Sequence, residues 1–432
     1  MKAKLFAIVM MAVLFSFPLK AQVYIDSIEI ARLLNENQQA TTVILEDDSI
    51  LDSIIPTFDT NPELSWQENI RLRLDNLLTG KLSETIQTGL MVWDLTGDSC
   101  LYSYNARLHL RPASTMKCVT AIVALDRLGS YYKFSTRLYF TGSIVDSTRV
   151  LQGNLYCVGG MDPMFDSSDL SSFVSAVKEL GISAVDGYIY FDLSFKEREK
   201  MGWGWCWDDD NPSLSPILVG RRDDFAERFQ KALRQAGIEV SGIGEQQLPS
   251  AAQLLDTRFH SIDQVMHRMM KRSDNLFAES MFYQIAAAGR ARWAKAQHAR
   301  AEIKQLVKRI GMNPSDCIIA DGSGLSLYNY LSAELEVKLL RYAFLKPDIY
   351  NTFLNTLPIA GVDGTLRNRM KSTPAQGNVR AKTGTVRGVS SLAGYLTASN
   401  GNRLCFAIIS NGGLTHSPMR NLQNKICVAL CQ

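Results

Sequence analysis

The stretch Arg111-Pro112-Ala113-Ser114-Thr115-Met116-Lys117 sets a serine hydroxyl and a lysine amine three residues apart at the start of a predicted helix. Residues with that spacing share one helix face, so Lys117 can bring its amine to Ser114. A serine hydroxyl is a poor nucleophile at neutral pH and needs an adjacent base. A desolvated lysine beside other cations is neutral enough to serve, with no histidine required. The helix N-terminus adds unpaired N–H groups that favour negative charge on an attacking oxygen. Taken alone, the tetrad reads by default as an N-cap serine followed by a surface lysine. The same spacing recurs at Ser130/Lys133 and Ser175/Lys178, and position separates the three. Ser130 follows Gly129 at a helix end, and Ser175 lies within the amphipathic pattern Leu170, Phe173, Val174, Val177, Leu180. Ser114 follows Pro112 and precedes Val119, Ile122, Val123 and Leu125, so it is expected to cap a helix entering a core.

Two more polar clusters follow. Ser273-Asp274-Asn275 interrupts a strongly apolar helix predicted over 262–288, carried by Val265, Met269, Leu276, Phe277, Met281 and Ile285. These three side chains compete for backbone hydrogen bonds, so the helix breaks there or serves a polar site. Lys382-Thr383-Gly384-Thr385 opens a hairpin of Val389–Thr397 with Arg403–Ser410. Arg367, Arg369, Lys371, Arg380 and Arg387 crowd its approach, a charge run that by itself reads as a solvated face.

The elements that must position these clusters can be read in outline. A helix from Trp66 ends at Gly80, and Thr88–Trp93 pairs with Cys100–Tyr104 across the turn Asp94–Asp98. From about Arg137 to Leu255 the character changes: short strands, a helix near 168–181, Gly159-Gly160-Met161-Asp162-Pro163, and Trp203, Trp205 and Trp207 ahead of Asp208-Asp209-Asp210. This reads as an inserted α+β module, its three tryptophans on one side of an extended chain and forming a packing surface. Helices near 223–237, 293–310 and 332–344, the loop Asp321-Gly322-Ser323-Gly324-Leu325-Ser326, and a closing helix from Met419 to Leu430 complete the chain. The expected division is a signal peptide over 1–21, an arm over 22–62, a first part of the main domain over 63–136, the insertion over 137–255, and the second part over 256–432.

Composition narrows the function classes. Lys2 and Lys4 precede the apolar run Leu5–Phe17 and Ala21, a secretory leader too short to span a bilayer, with cleavage expected near Ala21. Cleavage would remove Lys2, Lys4 and Lys20 and no acid, leaving basic and acidic residues equal at 43 each. That balance argues against nucleic acid and against electrostatic drive to a membrane. The first cysteine, Cys100, is far from the cut, so no lipid anchor is expected. Eight cysteines and five histidines show no zinc-ribbon or His-Glu-x-x-His spacing, so no metal is expected, and most of the cysteines read as small buried apolar residues.

Ser-x-x-Lys, Ser-Asp-Asn and Lys-Thr-Gly in this order are shared by penicillin-binding proteins and serine β-lactamases. Gly153-Asn154-Leu155-Tyr156, Gly159–Pro163, Gly204-Trp205-Cys206-Trp207-Asp208-Asp209, Ser273–Glu279 and Asp321–Ser326 further resemble the peptidase S13 family, the class C low-molecular-mass penicillin-binding proteins, from about Glu63 onward. The resemblance implies an α+β, transpeptidase-like fold, an antiparallel sheet flanked by helices, interrupted by the insertion. It implies a periplasmic D-alanyl-D-alanine carboxypeptidase and endopeptidase acting on peptidoglycan stem peptides ending in D-Ala-D-Ala and on their cross-links, with β-lactams as covalent inhibitors and no cofactor. Ser114 would be the nucleophile, Lys117 its base, Ser273 a proton relay tuned by Lys382, and Asn275 a group orienting Lys117 and the substrate amide. The N–H groups of Ser114 and Thr385 would form an oxyanion hole beside Gly384, and Thr383, Thr385 and Ser323 would bind the terminal carboxylate.

Two departures accompany the resemblance. The insertion is long enough for one module where family members commonly carry two, and Leu327 stands where an arginine commonly holds the stem-peptide end. A β-lactamase is the first alternative, but Asn351 occupies the position that a deacylating glutamate would need ahead of Leu354-Asn355. A non-catalytic scaffold of the same fold is the second, and the intact clusters argue against it.

Overall fold

A computed structural model of the chain describes residues 58–80, 82–207 and 211–432, all within one compact unit. The expected signal peptide, most of the arm and Asp208–Asp210 lie outside the described residues. In the order of the chain, the strands are β1 (Gln87–Asp94), β2 (Ser99–Tyr104), β3 (Lys133–Phe140), β4 (Ser143–Val145), β5 (Val150–Gln152), β6 (Leu155–Val158), β7 (Ala184–Asp192), β8 (Glu239–Glu245), β9 (Gln253–Ser261), β10 (Arg380–Val386), β11 (Val389–Thr397) and β12 (Arg403–Asn411). The principal helices are α1 (Trp66–Leu78), α2 (Met116–Leu128), α3 (Ser167–Glu179), α4 (Phe225–Gln235), α5 (Ile262–Lys271), α6 (Asn275–Ala287), α7 (Ala296–Arg309), α8 (Ala333–Phe344), α9 (Pro347–Thr356) and α10 (Ser417–Cys431).

A five-stranded antiparallel sheet in the order β10-β11-β12-β1-β2 forms the host domain. Alternation along each strand sends side chains to opposite faces. Leu90, Val92, Leu404, Phe406 and Ile408 join α1 and α10 in one core, while Met91, Cys405 and Ala407 face a second core built from α2 and α5 through α9. Covered on both faces, the central strands are buried along most of their length. Helix α2 is likewise buried over Met116–Leu125, the pattern of a helix surrounded by core. The predicted hairpins and the helices at α1, α7, α8 and α10 fall within a few residues of these elements. Helix α9 was not read from the sequence: Pro347 starts it, but its apolar face is short.

The second sheet, β4-β5-β7-β6-β3-β9 with β8 on β7, packs against α3 and α4 around its own core. It runs from Lys133 to Ser261, slightly beyond the expected 137–255, because β3 and β9 pair along their whole length. The chain also leaves this module midway. Ser194 accepts from the N–H of Trp293, Lys196 bridges to Ala294, and Trp205, Leu214 and Leu218 lie in the host core, while Ile217 and Val219 rejoin the module core. The tryptophans do not share one side: Trp203 is 53% exposed, Trp205 9% and Trp207 88%. Turns replace the extended chain that an alternating pattern assumes, and only Trp205 finds a buried partner.

Candidate active site

Ser114 lies in a single 3-10 turn, Ala113–Thr115, immediately before α2. The expected cap is absent: Thr115 holds the N-cap position and no side chain caps the helix. The turn places Ser114 differently. Ala113 adopts φ +48°, a left-handed conformation that a side chain disfavours and that persists only where surroundings enforce it. Those surroundings are visible. Asn411 brackets Arg111 through both backbone groups (2.9 and 3.1 Å), Ser391 donates to the Pro112 carbonyl at 2.5 Å, and Thr115 donates to the buried Glu336 carboxyl at 2.6 Å.

Lys117 is fully buried and its Nζ has three partners: Ser114 Oγ at 2.9 Å, Asn275 Oδ1 at 2.8 Å and the Ser323 carbonyl at 2.8 Å. Asn275 Oδ1 and the Ser323 carbonyl can only accept. In the neutral amine, the two hydrogens therefore satisfy these acceptors and the lone pair faces the Ser114 hydroxyl. Burial pushes the lysine down to about 8, against the opposing charges of Asp321, Glu279 and Asp274. A basic amine poised near neutrality beside a serine hydroxyl can take its proton.

The predicted long helix breaks between α5 and α6, and the break serves a polar site. Ser273 occupies it at φ +58°, and Asn275 is the first residue of α6, aimed at Lys117. On the other side, Lys382 of β10 is fully buried. It donates to Ser273 Oγ at 2.8 Å and to the Thr383 carbonyl at 2.6 Å. Burial, with the nearby Lys117 charge, holds its amine well below the usual lysine range. Thus Ser114, Lys117, Ser273, Asn275 and Lys382 gather where α2, α6 and β10 meet, in two hydrogen-bonded groups, Ser114–Lys117–Asn275 and Ser273–Lys382, joined through the Ser273–Asn275 backbone. The buried Lys382 is unlike the solvated face that the basic run alone predicted. Strand β10 is a sheet edge, so Thr385 sits on a border able to pair with an extended ligand. At Gly384, a Cβ would lie 2.9 Å from the Ser114 nitrogen; lack of a side chain lets β10 approach the turn.

Ser323 departs from its expected place. It is fully buried, its hydroxyl accepts from Leu325 N–H at 3.3 Å, and its carbonyl serves Lys117. Carboxylate binding therefore has no open hydroxyl at this position. The sequence reading also assigned no role to Thr365, whose hydroxyl is 2.8 Å from that of Thr383. Lys271 secures the Thr365 turn by gripping Asp363 at 2.6 and 2.8 Å. Leu327 is 37% exposed, next to Tyr328, whose ring centroid is 5.4 Å from that of Trp203.

Two acids beneath the cluster were also missed. Glu279 accepts from the N–H groups of Gly322 and Ser323 (3.0 and 2.7 Å); burial and the Asp321 charge push its carboxyl up to about 8. Asp321 accepts from Trp205 Nε1 at 2.8 Å, from the N–H groups of Gly324 and Ser326, and from Asn329 Nδ2 at 2.7 Å. The available signal was Glu279 itself, the lone acid in the apolar helix Asn275–Ala287. Asp321→Ala strands several buried donors and is expected to cost roughly 3 kcal/mol of stability, checked by denaturant unfolding. An unchanged midpoint would mean that the loop does not depend on this carboxylate.

Among the described residues no group of His, Cys, Asp and Glu could hold a metal, and no helix is long and apolar enough to cross a membrane. All eight cysteines are unpaired, and six are buried. Residues 71–218 and 218–432 match the D-Ala-D-Ala carboxypeptidase 3 (S13) family. The chain is 28% identical over 421 residues to the D-alanyl-D-alanine carboxypeptidase DacB of Haemophilus influenzae, covering 78% of this chain and 87% of that protein. Its fold resembles the crystal structure of penicillin binding protein 4 from the same organism, with a TM-score of 0.75 and 25% identity, over 83% of this chain and 99% of that one. A second structure of that protein, complexed with a novel β-lactam, aligns at a TM-score of 0.70 and 26% identity, over 82% of this chain and 98% of that one.

Proposed function

Since the chain belongs to the D-Ala-D-Ala carboxypeptidase 3 (S13) family, we propose that it is an exported serine-type D-Ala-D-Ala carboxypeptidase and endopeptidase of peptidoglycan that β-lactams acylate at Ser114. The observation that carries this reading is the Lys117 amine, with both of its hydrogens committed elsewhere and its third direction on Ser114 Oγ. Lys117 takes the Ser114 proton as Oγ attacks the carbonyl of the penultimate D-alanine. The N–H groups of Ser114 and Thr385 hold the developing oxyanion. As the C–N bond breaks, Ser273 passes a proton to the leaving amine, with Lys382 fixing the direction of that hydroxyl. Water then attacks the ester and restores Ser114. Thr383 and Thr385, with Thr365 orienting the Thr383 hydroxyl, receive the terminal carboxylate. Leu327 and Tyr328 favour a stem-peptide end that is uncharged, as in an amidated peptide.

The lysine gives the reaction a pH dependence. Only the neutral amine accepts a proton, so the acylation rate rises with pH and is half-maximal near 8, where Lys117 titrates. A flat profile of fluorescent-penicillin acylation from about pH 6 to about pH 10 would exclude Lys117 as the base. The defining test is release of D-alanine from a peptide ending in D-Ala-D-Ala. Failure of the full-length protein to release it, or to be acylated by penicillin, would favour the scaffold reading. A β-lactamase reading has less support, because Asn351 and Asn355 are exposed on α9 and neither bonds Ser114 or Lys117.

A further inference from the structure

The inserted module touches the Ser-Asp-Asn turn through one side chain. The chain straddles the boundary over Ile217–Val219, with Leu218 in the host core and Ile217 and Val219 in the module core, and then turns sharply through Gly220 (φ +54°) and Arg221 (φ +75°). The Arg221 guanidinium thereby crosses the boundary and pairs with Asp274 Oδ2. Arg268, on α5, reaches the same oxygen at 3.1 Å. Both guanidiniums lie over the Phe277 ring, at 6.0 and 4.7 Å from its centroid.

We propose that Arg221 is a positioning residue for the reaction, holding the Ser273 turn against Lys382 by acting through Asp274; the proposal rests on the acyl-transfer reading above. Asp274 stands at the N-cap of α6 with extended backbone, the position where an aspartate ordinarily accepts from the first helical N–H groups. It makes no such bond. Its carboxylate is turned instead to the two arginines, and its other oxygen is buried without a partner. The Asp274 side chain is only 8% exposed while the Arg221 side chain is 42% exposed, so the carboxylate end of the pair is buried and the guanidinium end meets solvent, which weakens the charge term and leaves the geometry of the tie. The tie is therefore to the arginines, at the expense of the helix end. Its immediate neighbour Ser273 holds the unfavourable φ noted above, and a turn of that kind keeps its shape only when fixed from several sides. Arg268 fixes it from within the same helical hairpin. Arg221 fixes it from the module, and is the only module side chain bonded to this turn among the described residues.

The test uses the full chain and follows both release of D-alanine from a D-Ala-D-Ala peptide and acylation by a fluorescent penicillin. Arg221→Ala is expected to lower kcat and the acylation rate about tenfold, with KM within about twofold, because a displaced relay slows chemistry more than binding. Its melting temperature should stay within about 2 °C of the parent. Arg221→Lys keeps the charge but loses the fork and should recover part of the rate. Arg222→Ala, the adjacent exposed arginine, should behave as the parent. In an Asp274→Asn background, Arg221→Ala should add nothing, since both changes remove one tie. Parental turnover in Arg221→Ala, an equal loss in both backgrounds, or a loss that tracks melting and is not repaired by lysine would each overturn the proposal. A parent protein that neither acylates nor releases D-alanine would instead remove the acyl-transfer reading on which it rests.

Discussion

Ser114→Ala is expected to abolish acylation by a fluorescent penicillin and to reduce D-alanine release on the order of 10⁴-fold, with the fold intact. The reason is local. The hydroxyl is the one partner of Lys117 that can surrender a proton, while Asn275 and the Ser323 carbonyl remain to hold the amine in place. Lys117→Ala should lose a similar factor, and the double variant little more, because nucleophile and base act as one unit. Peptide mapping of the labelled protein should place the drug on Ser114. Stable label would mean slow deacylation; prompt release of hydrolysed drug would move the assignment to a β-lactamase. Label on another serine would remove Ser114 from the role.

Gly384→Ala is the second large effect, and it tests geometry without touching a reacting group. An added Cβ would meet Ser391 Oγ at 2.0 Å, the Pro112 carbonyl at 2.6 Å and the Ser114 nitrogen at 2.9 Å. None of these can yield cheaply: Ser391 is already bonded to the Pro112 carbonyl, and the others are backbone. Strand β10 must therefore move away from the Ser114 turn, separating the two N–H groups assigned to the oxyanion. A loss on the order of 10²–10³-fold in acylation is expected, with about 1–3 kcal/mol of destabilisation from overpacking. Parallel measurement of acylation rate and denaturant midpoint separates these effects; parental acylation would show that β10 does not form part of the oxyanion site.

How much of this was legible in the sequence follows from how local each cause is. Ser114, Lys117, Ser273, Asn275 and Lys382 were readable because the chemistry needs those residue types at fixed spacings, and because three mediocre helix formers in an apolar helix announce a break. The tryptophans were misplaced because alternation implies sides only in an extended strand, and that segment turns. Ser323 was given a hydroxyl role although its contribution to Lys117 is a carbonyl, a group that every residue carries and no sequence pattern marks. Arg221 and Asp321 depend on contacts between segments far apart in the chain. Their partners become neighbours only through the second sheet and the return of residues 194–218 to the host.

That return also has a mechanical consequence. A module attached only through β3 and β9 would hang on two adjacent strands and could swing about them as a hinge. Here the polypeptide passes between module and host at least four times, entering along β3, leaving near Ser194, re-entering near Ile217 and leaving along β9. Four strands of rope fastened at separate points resist torsion as well as bending. The two bodies should therefore tumble together in solution, and a protease that nicks one crossing should leave a protein whose fragments stay joined until they are denatured.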